Sequence, residues 1–353
     1  MKNLNRIYFI AVSGLVSMLA ACHKDSPAPA TPTAQRAGVY VLNQGNYGKS
    51  NSSLTYYDYT TTSLTADIFS SANGGTQLGA LANDAKVYGS KLYITVDQSG
   101  VVNILNAKTA KLIKSVSFLN NTVSREPRSL AFYGSNAFVT LYDGNVAVMD
   151  TINYNVSKYI AVGRNPEQMV ISNGKLYVVN SGGLTFGNPD KTVSVIDLAS
   201  LTVTKTITVG DDPYAASVDS YGNIYINAYG NYGVTNASLS IINSSTDVVT
   251  SKTDFGPGPF VINGDNAYYL SGSKVLTYNV KTGVNGTTNF ITDGTTFTNA
   301  NALNYDPISG EMFVADALNY STNGMLYAFD KNGKKEYNLA TGIIPGTIVF
   351  VNK

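Results

Sequence analysis

The stretch Pro166 to Asn180, P-E-Q-M-V-I-S-N-G-K-L-Y-V-V-N, followed by Lys191 to Asp197, K-T-V-S-V-I-D, and Leu201 to Gly210, L-T-V-T-K-T-I-T-V-G, decides the fold. It holds four apolar or alternating runs of strand length, each bounded by Gly, Asn, Asp or Pro. In the last run Thr202, Thr204, Thr206 and Thr208 alternate with Val203, Lys205, Ile207 and Val209. A period of two fits a half-covered outer strand, and Lys205 on such an edge discourages sheet-to-sheet association.

The unit recurs along the chain. Its third run ends in Asp or Asn at Asp58, Asn106, Asp150, Asp197, Asn243, Asn279 and Asp330, spaced by 48, 44, 47, 46, 36 and 51 residues. Its second run carries an aromatic at the third place every time: Tyr40, Tyr93, Phe138, Tyr177, Tyr225, Tyr268 and Phe313. Four strands at a period of about 40 to 50 residues are the signature of a β-propeller. No segment keeps the 3.6 period that a helical solenoid would need. The expected fold is therefore all-β: seven four-stranded antiparallel blades over residues 38–353. An aromatic repeated in every blade is expected to pack between blades rather than to hold a cofactor.

Proline marks the start of first strands at Pro127, Pro166, Pro213, Pro257 and Pro345. It has no N–H to give to a ladder, so a strand start suits it. Pro345 opens a lone first-type strand at the C-terminal end, and the N-terminal copy lacks one. The last strand is expected to complete the first blade and close the ring.

Composition narrows the function. Of the 353 residues 13 % are charged, the formal net charge is +1, and there are 25 Tyr and no Trp. No strong field is expected toward nucleic acid. The one Cys is Cys22 and the one His is His23. An intrachain disulfide, a His/Cys zinc site and the Ser-His-Asp and Cys-His nucleophile arrangements are thereby excluded from the folded part.

Both of those residues sit near the N-terminus. Lys2 and Arg6 precede the apolar stretch Ile7 to Leu19, and Leu19-Ala20-Ala21-Cys22 follows. The stretch is shorter than the roughly 20 residues a spanning helix needs. The order of basic, apolar and small-residue segments is that of a signal peptide over residues 1–21. It resembles a bacterial lipoprotein precursor, which implies cleavage before Cys22 and its lipidation. Position 23 is not Asp, which favours the outer membrane. Lys24-Asp25 resembles the export signal of surface lipoproteins in Bacteroidetes. Residues 22–37, rich in Pro, Ala and Thr, are expected to form a disordered tether.

Repeats of the form N-G-K-L-Y-V-V-N and V-S-V-I-D-L-A-S-L-T-V-T-K-T-I-T-V-G resemble the YncE-like seven-bladed propellers. The opening G-V-Y-V-L-N-Q-G-N-Y-G-K-S-N-S-S-L-T-Y-Y-D resembles their Bacteroidetes lipoprotein branch. Relatives include a cobalamin-capturing type (BtuG) and a siderophore-capturing type, each serving a TonB-dependent transporter. The resemblance implies a surface lipoprotein that passes a small molecule, a cobamide first, to such a transporter. No binding motif of either type aligns here, so no site residue is carried over.

A site is expected on the long loops that follow second strands: Asn43 to Asn51, Asn180 to Lys191, Asn227 to Ser238 and Asp316 to Gly324. They share a face with the blade-to-blade connections. The candidate ligand-binding residues are Tyr47, Tyr142, Asn180, Phe186, Asn227, Tyr229, Tyr232 and Tyr320, with Arg128 and Arg164. Tyr offers a wide apolar contact with a polar tip at small entropic cost. The plainer use of the same residues is turn formation by Asn and blade capping by Tyr. Five basic residues face eight acidic ones on these loops, which suits a large neutral ligand better than a polyanionic siderophore. A neutral glycan suits them nearly as well, so a structural or adhesive protein- or glycan-binding propeller stands as the alternative. Asp97, Asp143, Asn180, Asn227 and Asp316 end second strands and could hold Ca²⁺ in the channel, as a lactonase-like hydrolase would require. Ring-closing hydrogen bonds are their simpler use.

Overall fold

The computed structural model describes residues 35–183, 185 and 187–353. The signal segment, Cys22, most of the tether and Phe186 lie outside the described residues. The strands form seven four-stranded antiparallel sheets. Blade 1 takes its innermost strand from the C-terminal segment, Pro345–Asn352, followed outward by Arg36–Asn43, Ser53–Asp58 and Ser63–Thr65. Blades 2 to 6 begin at Ala82, Pro127, Pro166, Pro213 and Phe260, and blade 7 at Ala300; each runs from its inner strand outward in chain order. Consecutive inner strands touch all the way round, and that of blade 7 touches Pro345–Asn352, so the ring is closed.

Each second strand is covered on both sides by neighbouring blades. It therefore reads as a nearly continuous apolar run rather than an alternating one, by the logic that governs any doubly covered strand. In blade 1, Tyr40 and Leu42 pack toward blade 2, while Val39 and Val41 pack toward blade 7. The described core divides into seven apolar clusters, one in each interface between blades. The recurring aromatics fill these interfaces. Tyr40, Tyr93, Phe138, Tyr177, Tyr225 and Phe313 are buried, and Tyr268 stacks on Tyr305 of the next blade at 5.2 Å.

The tyrosines in this set also tie blades together. Tyr40 donates to Ala107 O (3.0 Å), Tyr93 to Thr151 O (3.5 Å), Tyr177 to Ser244 O (3.1 Å) and Tyr225 to Val280 O (3.3 Å). Each acceptor is the residue after the Asp or Asn that ends the third run of the next blade. That Asp or Asn folds the following turn by accepting backbone N–H groups from residues just beyond it, as an Asx turn does. Asp58 takes Thr60 and Thr61, Asn106 takes Lys108 and Thr109, and Asn279 takes Lys281 and Thr282. The repeated aromatic and the repeated Asx are therefore two halves of one contact.

The inner strands leave backbone groups unpaired along the channel, a liability of any sheet edge. Polar side chains of one blade meet backbone groups of the next. Asp84 accepts from Leu130 N, Gln168 from Ala216 N, Ser217 donates to Phe260 O, Asn304 to Ile348 O and Thr347 to Asn83 O.

The ring closes two residues earlier in the chain than the sequence suggests. Arg36, expected in the tether, is the first residue of its strand. Its Nε and Nη2 donate to the Asp306 carboxylate of blade 7 at 2.7 to 3.1 Å, its Nη1 to Asn352 Oδ1, and its guanidinium lies 5.2 Å from the Phe350 ring centre. A charge before an apolar run looks like spacer sequence; here its partner lies 270 residues away.

Candidate functional site

On the loop face the residue before an inner strand is left-handed in five blades: Leu81, Glu126, Asn165, Asp212 and Ile344, with φ between +47° and +59°. Proline follows four of them, and its fixed φ sets the strand direction. The carbonyl of each left-handed residue accepts from the N–H just past the second strand of the same blade. The donors are Asp97, Tyr142, Ser181, Tyr229 and Gln44, respectively. This repeated clamp sets a rim of one residue in each of five blades. Beside it stands the second residue of each inner strand: Asn83, Arg128, Glu167, Tyr214, Val261, Asn301 and Gly346.

The groups at the mouth interact across blades. Arg128 Nη1 donates to Asp97 Oδ2 at 2.9 Å and to Asn83 Oδ1 at 3.2 Å. Its Nε and Nη2 grip both oxygens of Glu167 at 3.1 and 3.2 Å. Its guanidinium also lies 4.8 Å from the Tyr142 ring centre. Burial raises the carboxyls of Asp97 and Glu167 even though Arg128 opposes the shift in both. Burial likewise raises Glu126. One cation thus serves a crowded set of acids.

At blade 5 the mouth turns aromatic. Tyr214 and Tyr229 stack with centroids 3.9 Å apart. The Tyr214 hydroxyl is fixed by donation to Gly258 O (3.0 Å) and acceptance from Gly258 N (2.7 Å). Tyr229 stays half exposed. Its hydroxyl is pushed up to about 12, first by burial and then by the nearby charges of Glu167 and Asp212, with Tyr232 and Tyr320 also within range. Blades 4, 5 and 7 therefore present groups to one another at the mouth. Asp212 is pushed up to about 6 by burial and by Glu167.

The sequence candidates divide into three groups. Tyr229, Tyr232, Tyr320 and Tyr47 are exposed on the loop face, Tyr47 most of all at 80 %. Asn46 Nδ2 donates to Tyr320 O, so the loops of blades 1 and 7 meet. Tyr142 and Arg164 line a shallow cleft of about 430 Å³ with Asp143, Gly144, Val162, Gly163, Asn165 and Asp190. Arg128 belongs to the ion-paired mouth.

Asn180 and Asn227 belong to neither surface; they are 0 % and 2 % exposed and form part of the frame. Asn180 Nδ2 donates to Thr192 Oγ1 and Ser194 Oγ, both at 3.0 Å, beneath Gly163, where a Cβ would come within 2.5 Å of the amide. Asn43 repeats this layer in blade 1 with Ser53, Thr55 and Gly342. A polar residue ending a strand reads as the start of a loop, and only the close glycine reveals that it is covered. Asn227 is buried with neither amide atom partnered.

The acids proposed for a channel cation are likewise engaged. Asp97 holds Arg128, Asp143 holds Arg125 at 2.6 Å, and Asp316 caps the N–H groups of Thr298, Asn299 and Leu318. Tyr214 and Asn83 were missed as candidates. The signal was present, because Tyr214 follows a proline landmark just as Arg128 and Glu167 do.

Comparison with known proteins follows the same division. A quinonprotein alcohol dehydrogenase-like protein from Bacteroides thetaiotaomicron matches with a TM-score of 0.67 at 19 % identity, over 89 % of this chain and 78 % of that one. Hydrazine synthase of Kuenenia stuttgartiensis matches at 0.56 and 17 %, over 69 % of this chain and 74 % of that one. The computationally designed Ika8 protein matches at 0.58 and 12 %, over 91 % and 98 %. At these identities the likeness is one of fold. No curated protein matches the chain significantly. The family model described as a domain of unknown function, DUF5074, matches residues 37–351, and the chain belongs to that family.

Proposed function

We propose that this protein is a surface lipoprotein, anchored through Cys22 to the outer membrane, that captures a ligand on the loop face of its propeller and hands it to a TonB-dependent transporter. A cobamide is the first ligand in this reading. The observation that carries it is the set of exposed tyrosines around the mouth, Tyr47, Tyr229, Tyr232 and Tyr320, set on loops that a rigid ring holds in place. Exposed aromatic rings on a preorganised frame contribute contact area with little ordering cost.

The YncE-like character of the repeats supports the same reading. So does the pairing of the face's arginines. Arg125, Arg128 and Arg164 each lie against carboxylates, which leaves little for a polyanionic siderophore. The reading includes no catalysis, since the strand-end acids are spent on hydrogen bonds within the frame. The cleft at Tyr142 and Arg164, with two carboxylates and an amide in its wall, favours a glycan as the second reading.

The test mixes the full-length chain, in detergent, with cobinamide and separately with cobalamin, followed by gel filtration. Co-migration of the coloured ligand is expected, with affinity at least tenfold weaker when Tyr229 and Tyr232 are both changed to Ala, as for aromatic anchors in general. Separate elution of protein and both corrinoids removes the cobamide.

A further inference from the structure

We propose that the mouth at blade 5 is a receptor for a protonated amine or similar cationic group, held by the carboxylate of Asp212 against the stacked rings of Tyr214 and Tyr229, with the Arg128-paired Glu167 of blade 4 nearby. This rests on the loop face being the binding face, and it adds the charge and chemistry of what enters there.

The first support is the distribution of charge. Arg125 is paired with Asp143, and Arg128 is shared between Asp97 and Glu167. Asp212 has no such partner. It is 8 % exposed, and none of the described hydrogen bonds or ion pairs reaches its carboxylate. The residue is largely buried while its carboxylate oxygens still reach solvent, and so remain open to a ligand; a largely desolvated carboxylate without a partner is costly.

The turn gives no reason for an acid at this place. The equivalent left-handed positions carry Leu81, Glu126, Asn165 and Ile344, so the backbone accepts apolar, amide and acidic side chains there alike. Asp212 is therefore free of the duty that explains the Asx acids of the opposite face.

The aromatic pair supplies the second support. Tyr214 is locked at both its ring and its hydroxyl, and it presents Tyr229 as a half-exposed plate beside the two carboxylates. A cation over such a face gains roughly 0.5–2 kcal/mol, more as it is desolvated. A carboxylate beside the same ring adds a charge-assisted hydrogen bond. An anion would meet repulsion from Asp212, while the charge of Arg128 is already shared between Asp97 and Glu167. The raised pKa of Asp212 agrees, because a cation would stabilise the charged form that burial disfavours.

Three molecules of equal length separate this chemistry from general stickiness: 1,5-diaminopentane, pentane-1,5-diol and glutarate. Saturation-transfer NMR with the full-length chain is expected to show binding of the diamine, weaker binding of the diol and none of glutarate. D212N is expected to weaken the diamine at least tenfold. D265N, which removes an acid from a turn at the other end of the blades, is expected to leave it unchanged. Because D212N removes a buried charge, it should fold at least as stably as the parent, so lost binding would not report unfolding. Glutarate binding as well as the diamine, unchanged diamine binding in D212N, or no diamine binding up to 50 mM (about that of the weakest useful contacts) would each overturn the proposal. Diamine binding without corrinoid binding keeps this proposal and removes the cobamide. Corrinoid binding with an indifferent D212N does the reverse.

Discussion

Replacing Arg36 by Ala tests how the ring is locked. The Asp306 side chain is fully buried and the Arg36 side chain only 13 % exposed. Removing Arg36 leaves a buried carboxylate held only by the Ile308 N–H and the Ser309 hydroxyl. It also removes three N–H···O contacts to Asp306, one to Asn352 and a cation–π contact to Phe350. Breaking one side of a buried pair costs about 3–5 kcal/mol, mostly because the remaining charge is stranded. Arg36 keeps a little solvent contact, so about 3 kcal/mol is expected for R36A. Urea unfolding followed by circular dichroism would show it as a lower midpoint at unchanged slope. D306N placed on R36A should recover part of the loss, with a coupling of about 2 kcal/mol or more in the double-mutant cycle. Burial alone would raise the Asp306 carboxyl, but Arg36 and the Ile308 N–H hold it below the usual value. Its contribution is therefore present above the ordinary carboxylate range and lost as pH falls through the lowered value. A loss under 1 kcal/mol, or strictly additive effects of R36A and D306N, would refute the lock.

Three further outcomes follow from the same geometry. Deleting Gly346 to Lys353 removes most of the inner strand of blade 1 and should abolish cooperative unfolding; a truncated chain melting at the parent temperature would count against strand-mediated closure. N180A should cost roughly 2–3 kcal/mol, since it strands Ser194 Oγ and opens a small void. Blade 5 has Ala228 at that level with Ser238 and Ser240 unpartnered, so A228N should instead stabilise by about 1 kcal/mol, and a loss of that size by denaturant titration would show the layers are not equivalent. D212N should stabilise at pH 8 and do nothing at pH 3. The raised folded value means the unfolded chain ionises first, so the parent loses stability as pH rises from about 3.8 to about 6, by roughly 3 kcal/mol at most. A D212N midpoint indistinguishable from the parent at pH 8 would contradict the burial of that charge.

What the sequence shows clearly is whatever the fold demands in every blade. The aromatic at the third place of the second strand, the Asx at the end of the third and the proline at the start of the first each answer a local need. Repetition makes them visible without any contact map. The interactions that occur once are hidden. Arg36 and Asp306 are joined only because the ring closes, and nothing local in either segment asks for the other. Asn180 and Asn227 were misplaced for a related reason. Their polarity marks a strand end, but both are buried, Asn180 under the linker at Gly163 that only the folded ring brings over it. Tyr229, Tyr232 and Tyr320 were legible as candidates because an exposed tyrosine on a long loop has few structural uses. Tyr214 carried the same signal as Arg128, a place just after a strand-opening proline, but not the long loop on which the other tyrosines stand out.

The two ends of the blades differ in how far they keep the repeat, and that difference fits the binding face proposed above. At the end where third strands turn, every blade uses the same Asx, and four of the tyrosines reach the same carbonyl. Substitution there is penalised by folding alone. At the mouth the backbone clamp is also repeated, with the same left-handed φ and the same hydrogen bond. Yet the second residues of the inner strands are Asn83, Arg128, Glu167 and Tyr214 in blades 2 to 5, Val261 and Asn301 in blades 6 and 7, which lack the left-handed residue, and Gly346 in blade 1, no two neighbours alike. The frame holds position while identity varies from blade to blade. These departures from sevenfold likeness need another cause, and a ligand without sevenfold symmetry supplies one. Asp212 marks the departure most sharply: a largely buried acid that no described hydrogen bond or ion pair reaches, on a turn that carries Leu, Ile, Asn or Glu in other blades.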